Sequence, residues 1–137
     1  MTNKGATASP ASARWPSGSE AILLVEDDPA LRDLFSAVLG RCGYEVSIAV
    51  NGSEALAAVE GHAGRFALVV SDVMMPGMSG LELARRLRAE GESVPILMLS
   101  GYGEADLASV AGLAVAFAEK PLPPSVLARR VRELLDG

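Results

Sequence analysis

The hydrophobic positions of the chain form five segments of strand length, separated by segments with helical spacing. Four of the five are continuous apolar runs, typical of strands covered on both faces, and the second alternates like a half-buried strand. The predicted strands cover residues 21–25, 44–50, 68–72, 95–99 and 113–118. Polar residues follow the apolar runs at once, so each of these strands has a sharp end.

A segment with helical spacing follows each predicted strand. The first begins at Asp28-Pro29, a side-chain cap followed by proline, and the glycines of residues 40–43 are predicted to end it. Capping-box spacings at Asn51 and Ser79 start the next two helices, whereas residues 104–110 predict only a brief helix between glycines. Five strands that alternate with five helices predict a parallel sheet with helices on both faces.

Composition narrows the classes of function. The 137 residues predict one domain with a sizeable core, because 50% of them are hydrophobic, and the net charge of -5 disfavours direct nucleic-acid binding. The single cysteine, Cys42, excludes an internal disulfide and is predicted to be a buried thiol in a reducing, cytoplasmic setting. No apolar run has the length of a membrane span or a secretion signal. Arg85, Arg86 and Arg88 are predicted to lie on a solvated helix face.

Residues 1–20 are rich in Ala, Ser, Thr, Gly and Pro and show no periodicity, so we expect a flexible leader before a domain at residues 21–136. Trp15 is the anomaly of this segment, either an incidental aromatic residue or an anchor for a partner. The leader carries no recognisable chemistry. We therefore expect the functional site to lie in residues 21–136.

Polar residues at four predicted strand ends supply that candidate. They are Glu26 and Asp27, Asp72, Ser100, and Lys120. In the doubly wound order 2-1-3-4-5 the first and third strands are neighbours, so their carboxylates meet at the topological switch point. Two unit charges about 4 Å apart repel by about 4 kcal/mol at an effective dielectric constant near 20, so such a cluster either takes up a proton or recruits a cation. Oxygen ligands without clustered His or Cys favour a hard cation, and few carboxylates with room for water suit Mg²⁺ better than Ca²⁺.

Magnesium beside a carboxylate, a lysine and a hydroxyl is an arrangement for phosphoryl transfer. Lys120 can pair with a phosphoryl oxygen, and an ionised Asp72 can attack in line to give an aspartyl phosphate. Acids instead of a glycine-rich loop follow the first strand, which disfavours nucleotide or flavin binding. The sequence thus predicts a site that takes phosphate together with a cation.

Four motifs at these strand ends carry a resemblance to a known family. They read Val-Glu-Asp-Asp-Pro, Ser-Asp-Val-Met-Met-Pro-Gly-Met-Ser-Gly, Leu-Ser-Gly-Tyr and Phe-Ala-Glu-Lys-Pro-Leu, in this order. Each is weak singly, but together they are specific, and over residues 21–136 the chain resembles the receiver domains of two-component response regulators. The resemblance implies an α/β, flavodoxin-like doubly wound (βα)5 fold with a five-stranded parallel sheet of order 2-1-3-4-5.

The resemblance also implies a role for each residue of the candidate site. It makes Asp72 the phosphoacceptor and Lys120 the residue that binds the phosphoryl group, and it implies a cis Lys120-Pro121 bond. Ser100 would be the switch hydroxyl, in place of the commoner threonine, and Phe117 the switch aromatic, for which core packing stays an open alternative. The Mg²⁺ ligands implied are Glu26, Asp27, Asp72 and the backbone carbonyl of Met74.

The implied function is a phosphorylation-activated signalling switch. A histidine kinase or histidine phosphotransfer protein would donate the phosphoryl group, and the domain would be regulatory, catalysing only its own phosphorylation and dephosphorylation. Two alternatives stay open: a degenerate receiver that binds a partner without phosphorylation, and a small Mg²⁺-dependent phosphatase, which the lack of a second acid at Met74 disfavours. The initiating Met1 favours a stand-alone regulator over the receiver of a hybrid kinase, as a monomer or a phosphorylation-dependent dimer.

Overall fold

The computed structural model describes residues 15–62, 64–101 and 112–137. Within these ranges five parallel strands form one sheet in the order β2-β1-β3-β4-β5. The strands are β1 (Ala21–Val25), β2 (Glu45–Ala49), β3 (Leu68–Asp72), β4 (Ile96–Ser100) and β5 (Val115–Glu119). The fold class and strand order predicted from the sequence are confirmed.

The described residues contain four helices, and the brief helix predicted at residues 104–110 lies outside them. The helices are α1 (Pro29–Arg41), α2 (Gly52–Gly61), α3 (Gly80–Ala89) and α4 (Pro124–Asp136). None of them is long and apolar enough to cross a bilayer.

Three helices begin at the predicted caps. The side chains of Asp28, Asn51 and Ser79 accept hydrogen bonds from backbone N–H groups of the first turns, at 2.9, 2.8 and 3.1 Å. Helix α1 continues through Gly40 and ends at Arg41, between the two glycines that were predicted to end it. The chain turns at Gly43, where φ is +102°, a value that favours glycine.

Two apolar cores lie on opposite faces of the sheet, as helices on both faces require. Successive residues of β1 alternate between them: Ile22 and Leu24 pack with α1 and α4, whereas Leu23 and Val25 pack with α2 and α3. Cys42 is buried in the first core, as predicted. Strands β3 and β4 are buried throughout, while the edge strands β2 and β5 are mostly half-buried.

Strand register brings the predicted functional residues to one edge. In the parallel ladders Val25 lies opposite Ser71, Asp72 opposite Leu99, and Ser100 opposite Glu119. The residues that follow β1 and β5 therefore leave the sheet where Asp72 and Ser100 end their strands. This carboxyl edge is where open α/β sheets bind ligands.

The opposite, amino edge carries a charged group of its own, which we call the Arg132 cluster: Glu20, Tyr44, Arg132 and Asp136. The Arg132 guanidinium forms ion pairs with Glu20 at 2.7 Å and with Asp136 at 2.8 Å. It also donates to the Tyr44 hydroxyl at 3.4 Å. Because Glu20 directly precedes β1, the cluster joins the start of the sheet to the last helix.

Residues 15–20, the described part of the predicted leader, contact the domain. Trp15 packs against the core formed with α1 and α4, and the Gly18 N–H donates to the Cys42 carbonyl at 3.0 Å. Arg132 donates to the Ser17 carbonyl at 3.1 Å. Residues 1–14 lie outside the described residues, and the domain boundary stays a prediction.

The prediction that Arg85, Arg86 and Arg88 all lie on a solvated face of α3 was wrong for Arg88, which is half-buried. Its Nε donates to the Leu113 carbonyl at 2.7 Å and its Nη1 to the Glu92 carbonyl at 2.8 Å. These carbonyls belong to loops, where no strand partner satisfies them, so a guanidinium with several donors is well suited to the position. Arg85 and Arg86 are exposed, as predicted.

Candidate functional site

Asp72 is the last residue of β3 and is only 5% exposed. Its Oδ2 accepts a hydrogen bond from Lys120 Nζ at 3.0 Å, and its Oδ1 accepts one from the Met74 N–H at 3.3 Å. Burying a carboxylate costs free energy unless the carboxylate is paired, and Lys120 supplies the partner for Asp72. The Lys120 side chain is 23% exposed, so the pair lies close to solvent. The carboxylate is thus held in one orientation just beneath the surface.

Glu26 and Asp27 follow β1 and approach Asp72 from the neighbouring strand. One carboxylate oxygen of each of the three residues lies within 4.8 Å of the others. With Lys120 they form what we call the acid pocket: Glu26, Asp27, Asp72 and Lys120. Three carboxylates face one ammonium group here, so the set carries an excess of negative charge.

Glu26 is the most deeply buried of the three acids. It is 1% exposed, its Oε2 accepts from the Asp28 N–H at 3.2 Å, and its buried Oε1 has no hydrogen-bond partner. The pKa of Glu26 is raised from 4.5 to about 7, chiefly because burial disfavours the charged form and to a smaller extent because of the nearby Asp72 charge. The Asp28 hydrogen bond and the Lys120 charge oppose this rise. The nearby Lys120 charge therefore does not offset the cost of burying this carboxylate.

The donor set of the acid pocket fits a hard divalent cation. Its candidate ligands are carboxylate oxygens, with neither His nor Cys in the group, which favours Mg²⁺ or Ca²⁺ over zinc or copper. The unpartnered Glu26 Oε1 is an independent sign of the same need, because a bound cation would satisfy this atom.

Lys120 reaches the pocket from the segment after β5. Its backbone N–H donates to the Ser100 carbonyl at 2.8 Å, which extends the β4–β5 pairing by one residue. The Lys120-Pro121 bond is cis, as the resemblance implies. The lysine is thus fixed to the end of β4 at its main chain and to Asp72 at its side chain.

The two predicted switch residues lie at different levels of the sheet. Ser100 ends β4 and is 5% exposed, so it reaches the carboxyl edge beside β3. Phe117 lies in the middle of β5 opposite Met98 and packs, half-buried, against the core formed with α2 and α3. This position suits core packing as well as it suits a switch.

Met74 and Gly80 frame Asp72 on its C-terminal side. The Met74 side chain is 58% exposed, and its backbone N–H holds the Asp72 carboxylate. Gly80 begins α3 and donates its N–H to the Val73 carbonyl at 2.8 Å. A Cβ at position 80 would overlap the Asp72 carbonyl oxygen, so the close approach of α3 to β3 requires glycine.

Gly80 and Arg32 are functional candidates that the sequence reasoning missed. The signal for Gly80 is a glycine directly after the Ser79 cap, at a position where other residues are better helix formers. Arg32 lies one helical turn after the Asp28 cap, and its guanidinium donates to the carbonyls of Glu26 and Asp27. Side chains on a helix lean toward its N-terminus, so an arginine at this spacing could have been expected over the loop.

Comparisons with known sequences agree with this geometry. The family model described as the response regulator receiver domain matches residues 22–132. The chain is 39% identical over 122 residues to the sensor kinase CckA of Brucella abortus, covering 88% of this chain and 13% of that protein. It is 39% identical over 102 residues to the transcriptional regulatory protein FixJ of Bradyrhizobium diazoefficiens, covering 73% of this chain and 49% of FixJ. The chain thus spans less than half the length of these two relatives.

Solved structures show the same relationship over nearly whole domains. The chemotaxis protein CheY4 of Vibrio cholerae superposes with a TM-score of 0.76 at 30% identity, over 85% of this chain and 99% of CheY4. The receiver domain of the hybrid histidine kinase CckA superposes with a TM-score of 0.71 at 35% identity, over 84% of this chain and 98% of that domain. The chain therefore belongs to the receiver domains of two-component signal transduction, which are regulatory domains.

Proposed function

We propose that this receiver domain is a phosphorylation-activated switch that accepts a phosphoryl group on Asp72 from a phosphohistidine. The donor would be a histidine kinase or a histidine phosphotransfer protein. The observation that supports this most strongly is the 3.0 Å contact between Asp72 Oδ2 and Lys120 Nζ. It lies in a group where one carboxylate oxygen each of Glu26, Asp27 and Asp72 is within 4.8 Å of the others. A carboxylate that can act as a nucleophile, a lysine that can bind a phosphoryl group and two further acids therefore lie together at the carboxyl edge of the sheet.

The transfer is a displacement at phosphorus. An oxygen of the ionised Asp72 carboxylate forms the new P–O bond while the P–N bond to the donor imidazole breaks, and the imidazole nitrogen keeps the electron pair and takes up a proton. Lys120 pairs with Asp72 before the reaction and with a phosphoryl oxygen after it. The ammonium group therefore offsets negative charge throughout the transfer.

Receiver domains generally bind Mg²⁺ at an acidic pocket. In this chain the carboxylates of Glu26, Asp27 and Asp72, with the backbone carbonyl of Met74, would hold it. When bound, Mg²⁺ supplies positive charge that offsets the negative charge of the transferred group. The three acids thereby gain the positive partner that Lys120 alone does not provide.

Phosphorylation would be read out through Ser100 and Phe117. The aspartyl phosphate adds negative charge and acceptor oxygens at the carboxyl edge, and the buried Ser100 hydroxyl, at the end of the adjacent strand, can donate to them. Movement of Ser100 frees space into which half-buried Phe117 can turn. The phosphoryl group would thereby shift the population between two packings of β5 and α4.

Phosphorylation with a small-molecule donor tests the proposal directly. The protein is incubated with acetyl phosphate, with and without Mg²⁺, and the intact mass is measured. We expect one labile phosphoryl adduct that depends on Mg²⁺ and is absent from Asp72→Asn. Asp28→Asn is the matched control, because asparagine also caps a helix and Asp28 is an acid next to the pocket residue Asp27 in the sequence.

The other outcomes separate the alternatives. An adduct on Asp72→Asn equal to that of the wild type would contradict the assigned acceptor. No adduct on the wild type, with a phosphohistidine partner also present, would indicate a phosphorylation-independent interaction module. Sustained turnover of a generic phosphate ester would indicate a phosphatase. Light scattering before and after phosphorylation would distinguish a monomer from a phosphorylation-dependent dimer.

A further inference from the structure

The chain turns sharply directly after β1, where two consecutive acids enter the acid pocket. Consecutive side chains of an extended strand point to opposite faces, yet Glu26 and Asp27 both contribute an oxygen to the same cluster. The ladder continues only as far as the Glu26 N–H, which donates to the Ala49 carbonyl at 3.1 Å. The backbone must therefore bend immediately after this bond to bring both carboxylates to one place.

Arg32 holds this bend from α1. A single guanidinium nitrogen, Nη1, donates to the Glu26 carbonyl at 3.2 Å and to the Asp27 carbonyl at 3.3 Å. In an extended strand successive carbonyls point in opposite directions, so one donor reaches both only where the chain turns. The Arg32 N–H donates to the Asp28 carbonyl at 2.9 Å, which fixes the helix to the same loop.

We propose that Arg32 is a positioning residue that holds the turn at Glu26 and Asp27 so that two consecutive carboxylates face one cation site. The inference rests on the Mg²⁺ site of the proposed function. Both hydrogen bonds end on main-chain carbonyls, so they use none of the carboxylate oxygens that a cation would need. Arg32 acts on the acids through the backbone, and partners of this kind orient metal ligands without binding the metal.

The sign of the effect distinguishes positioning from simple electrostatics. If Arg32 acted only through its charge, its removal would leave the acid pocket more negative and would strengthen Mg²⁺ binding. If it holds the turn, its removal lets the two carboxylates separate and weakens Mg²⁺ binding. A residue needed only for stability would lower the melting temperature and leave the affinity unchanged.

Calorimetric titration of the unphosphorylated protein with MgCl₂ measures this sign. We expect Arg32→Ala to raise the Kd for Mg²⁺ about 10-fold. Arg32→Lys retains the charge without the branched donors, so its Kd should lie between those of the wild type and Arg32→Ala. Arg41→Ala is the matched control: it removes the same charge from the exposed, far end of α1 and should leave the Kd nearly unchanged. Melting curves establish that each variant folds.

Amide hydrogen exchange without Mg²⁺ tests the turn by itself. The Asp28 N–H donates to Glu26 Oε2 at 3.2 Å, so it reports whether the turn is closed. Its exchange should be faster in Arg32→Ala and unchanged in Arg41→Ala. Unchanged exchange, or Mg²⁺ binding as tight as or tighter than that of the wild type, would overturn the inference. Failure of the wild type to bind Mg²⁺ would instead overturn the cation site of the proposed function, and faster Asp28 exchange would still support the turn.

Discussion

The two charged groups at opposite edges of the sheet differ in how completely their carboxylates are paired. In the Arg132 cluster one guanidinium lies between two carboxylates, those of Glu20 and Asp136, and also contacts a hydroxyl. In the acid pocket three carboxylates share a single lysine, and one buried oxygen has no hydrogen-bond partner. Both carboxylates of the Arg132 cluster have a charged partner, whereas Glu26 Oε1 in the acid pocket has no hydrogen-bond partner.

The pKa of one carboxyl group in each cluster is shifted, in opposite directions and from different causes. The hydrogen bond from Arg132 lowers the pKa of Glu20 from 4.5 to about 2. The pKa of Glu26 is raised from 4.5 to about 7, mainly by burial and to a smaller extent by the Asp72 charge. Folding thus favours the ionised form of Glu20 and the protonated form of Glu26. A cluster whose carboxylates are all paired serves to join parts of the fold, whereas one with an unpartnered buried carboxylate oxygen is suited to bind a cation.

Removing one cation from each group should give the largest contrast. We expect Lys120→Met to slow phosphoryl uptake from acetyl phosphate about 100-fold, because the reacting carboxylate loses a charged donor. Arg132→Met removes the same charge from the amino edge and should leave the rate close to that of the wild type. Time courses of intact mass measure both rates. Equal slowing in the two variants would show that net charge, and not the acid pocket, controls uptake.

The raised pKa of Glu26 predicts an unusual pH dependence in Mg²⁺-free protein. The folded state holds a proton that the unfolded state has released between pH 4.5 and about 7, so the free energy of unfolding should fall as the pH rises through this window. The loss should reach up to about 3 kcal/mol and then level off. Urea denaturation at several pH values measures it.

Glu26→Gln is the control for this pH dependence. Glutamine has no carboxyl proton to lose, so the variant should be more stable than the wild type at pH 8 without Mg²⁺ and should show no fall in the window. Saturating Mg²⁺ should restore much of the wild-type stability, because it binds only the folded state. A wild-type stability that rises between pH 4.5 and 7 would contradict the assignment.

Each charged group also contacts a glycine, and the two glycines should differ in cost. A Cβ at Gly80 would overlap the Asp72 carbonyl oxygen, which is main chain and cannot move alone, so Gly80→Ala should cost about 1–3 kcal/mol and slow phosphoryl uptake. A Cβ at Gly18 would overlap side chains of the Arg132 cluster, which can shift. Gly18→Ala should therefore cost less and leave uptake unchanged, as urea denaturation and mass spectrometry would show. The reverse ranking would contradict this explanation.

Glu20→Gln should have the smallest effect, and its pH dependence should be opposite to that of Glu26. Because folding lowers the pKa of Glu20 to about 2, its contribution is present above pH 4.5 and is lost as the pH falls from 4.5 toward 2. The variant should lower the melting temperature by a few degrees at pH 7 and converge with the wild type at the acid end. A gap between the two melting temperatures that widens in acid would refute it.

Local sequence patterns determined most of the secondary structure of this protein and the residues of its candidate site. Apolar runs give β1 and β3, the Asp28-Pro29 and Ser79 signals start α1 and α3, and the alternation of strands and helices predicts the parallel sheet. The strand order within that sheet was implied by the resemblance to receiver domains. Because parallel strands end at one edge, the same reasoning brings the acids and Lys120 together. These features depend on residues a few positions apart, so they can be seen in the sequence.

Only the tertiary structure decided how the charged groups pair in detail. Arg132 and Glu20 are 112 positions apart, and no local pattern shows that they meet. The burial of Glu26 and the hold of Arg32 on its carbonyl likewise depend on how α1 packs against the loop. The sequence by itself determined which groups reach the carboxyl edge of the sheet. Side-chain packing decided that both carboxylates at the amino edge pair with Arg132 and that Glu26 Oε1 at the carboxyl edge has no hydrogen-bond partner.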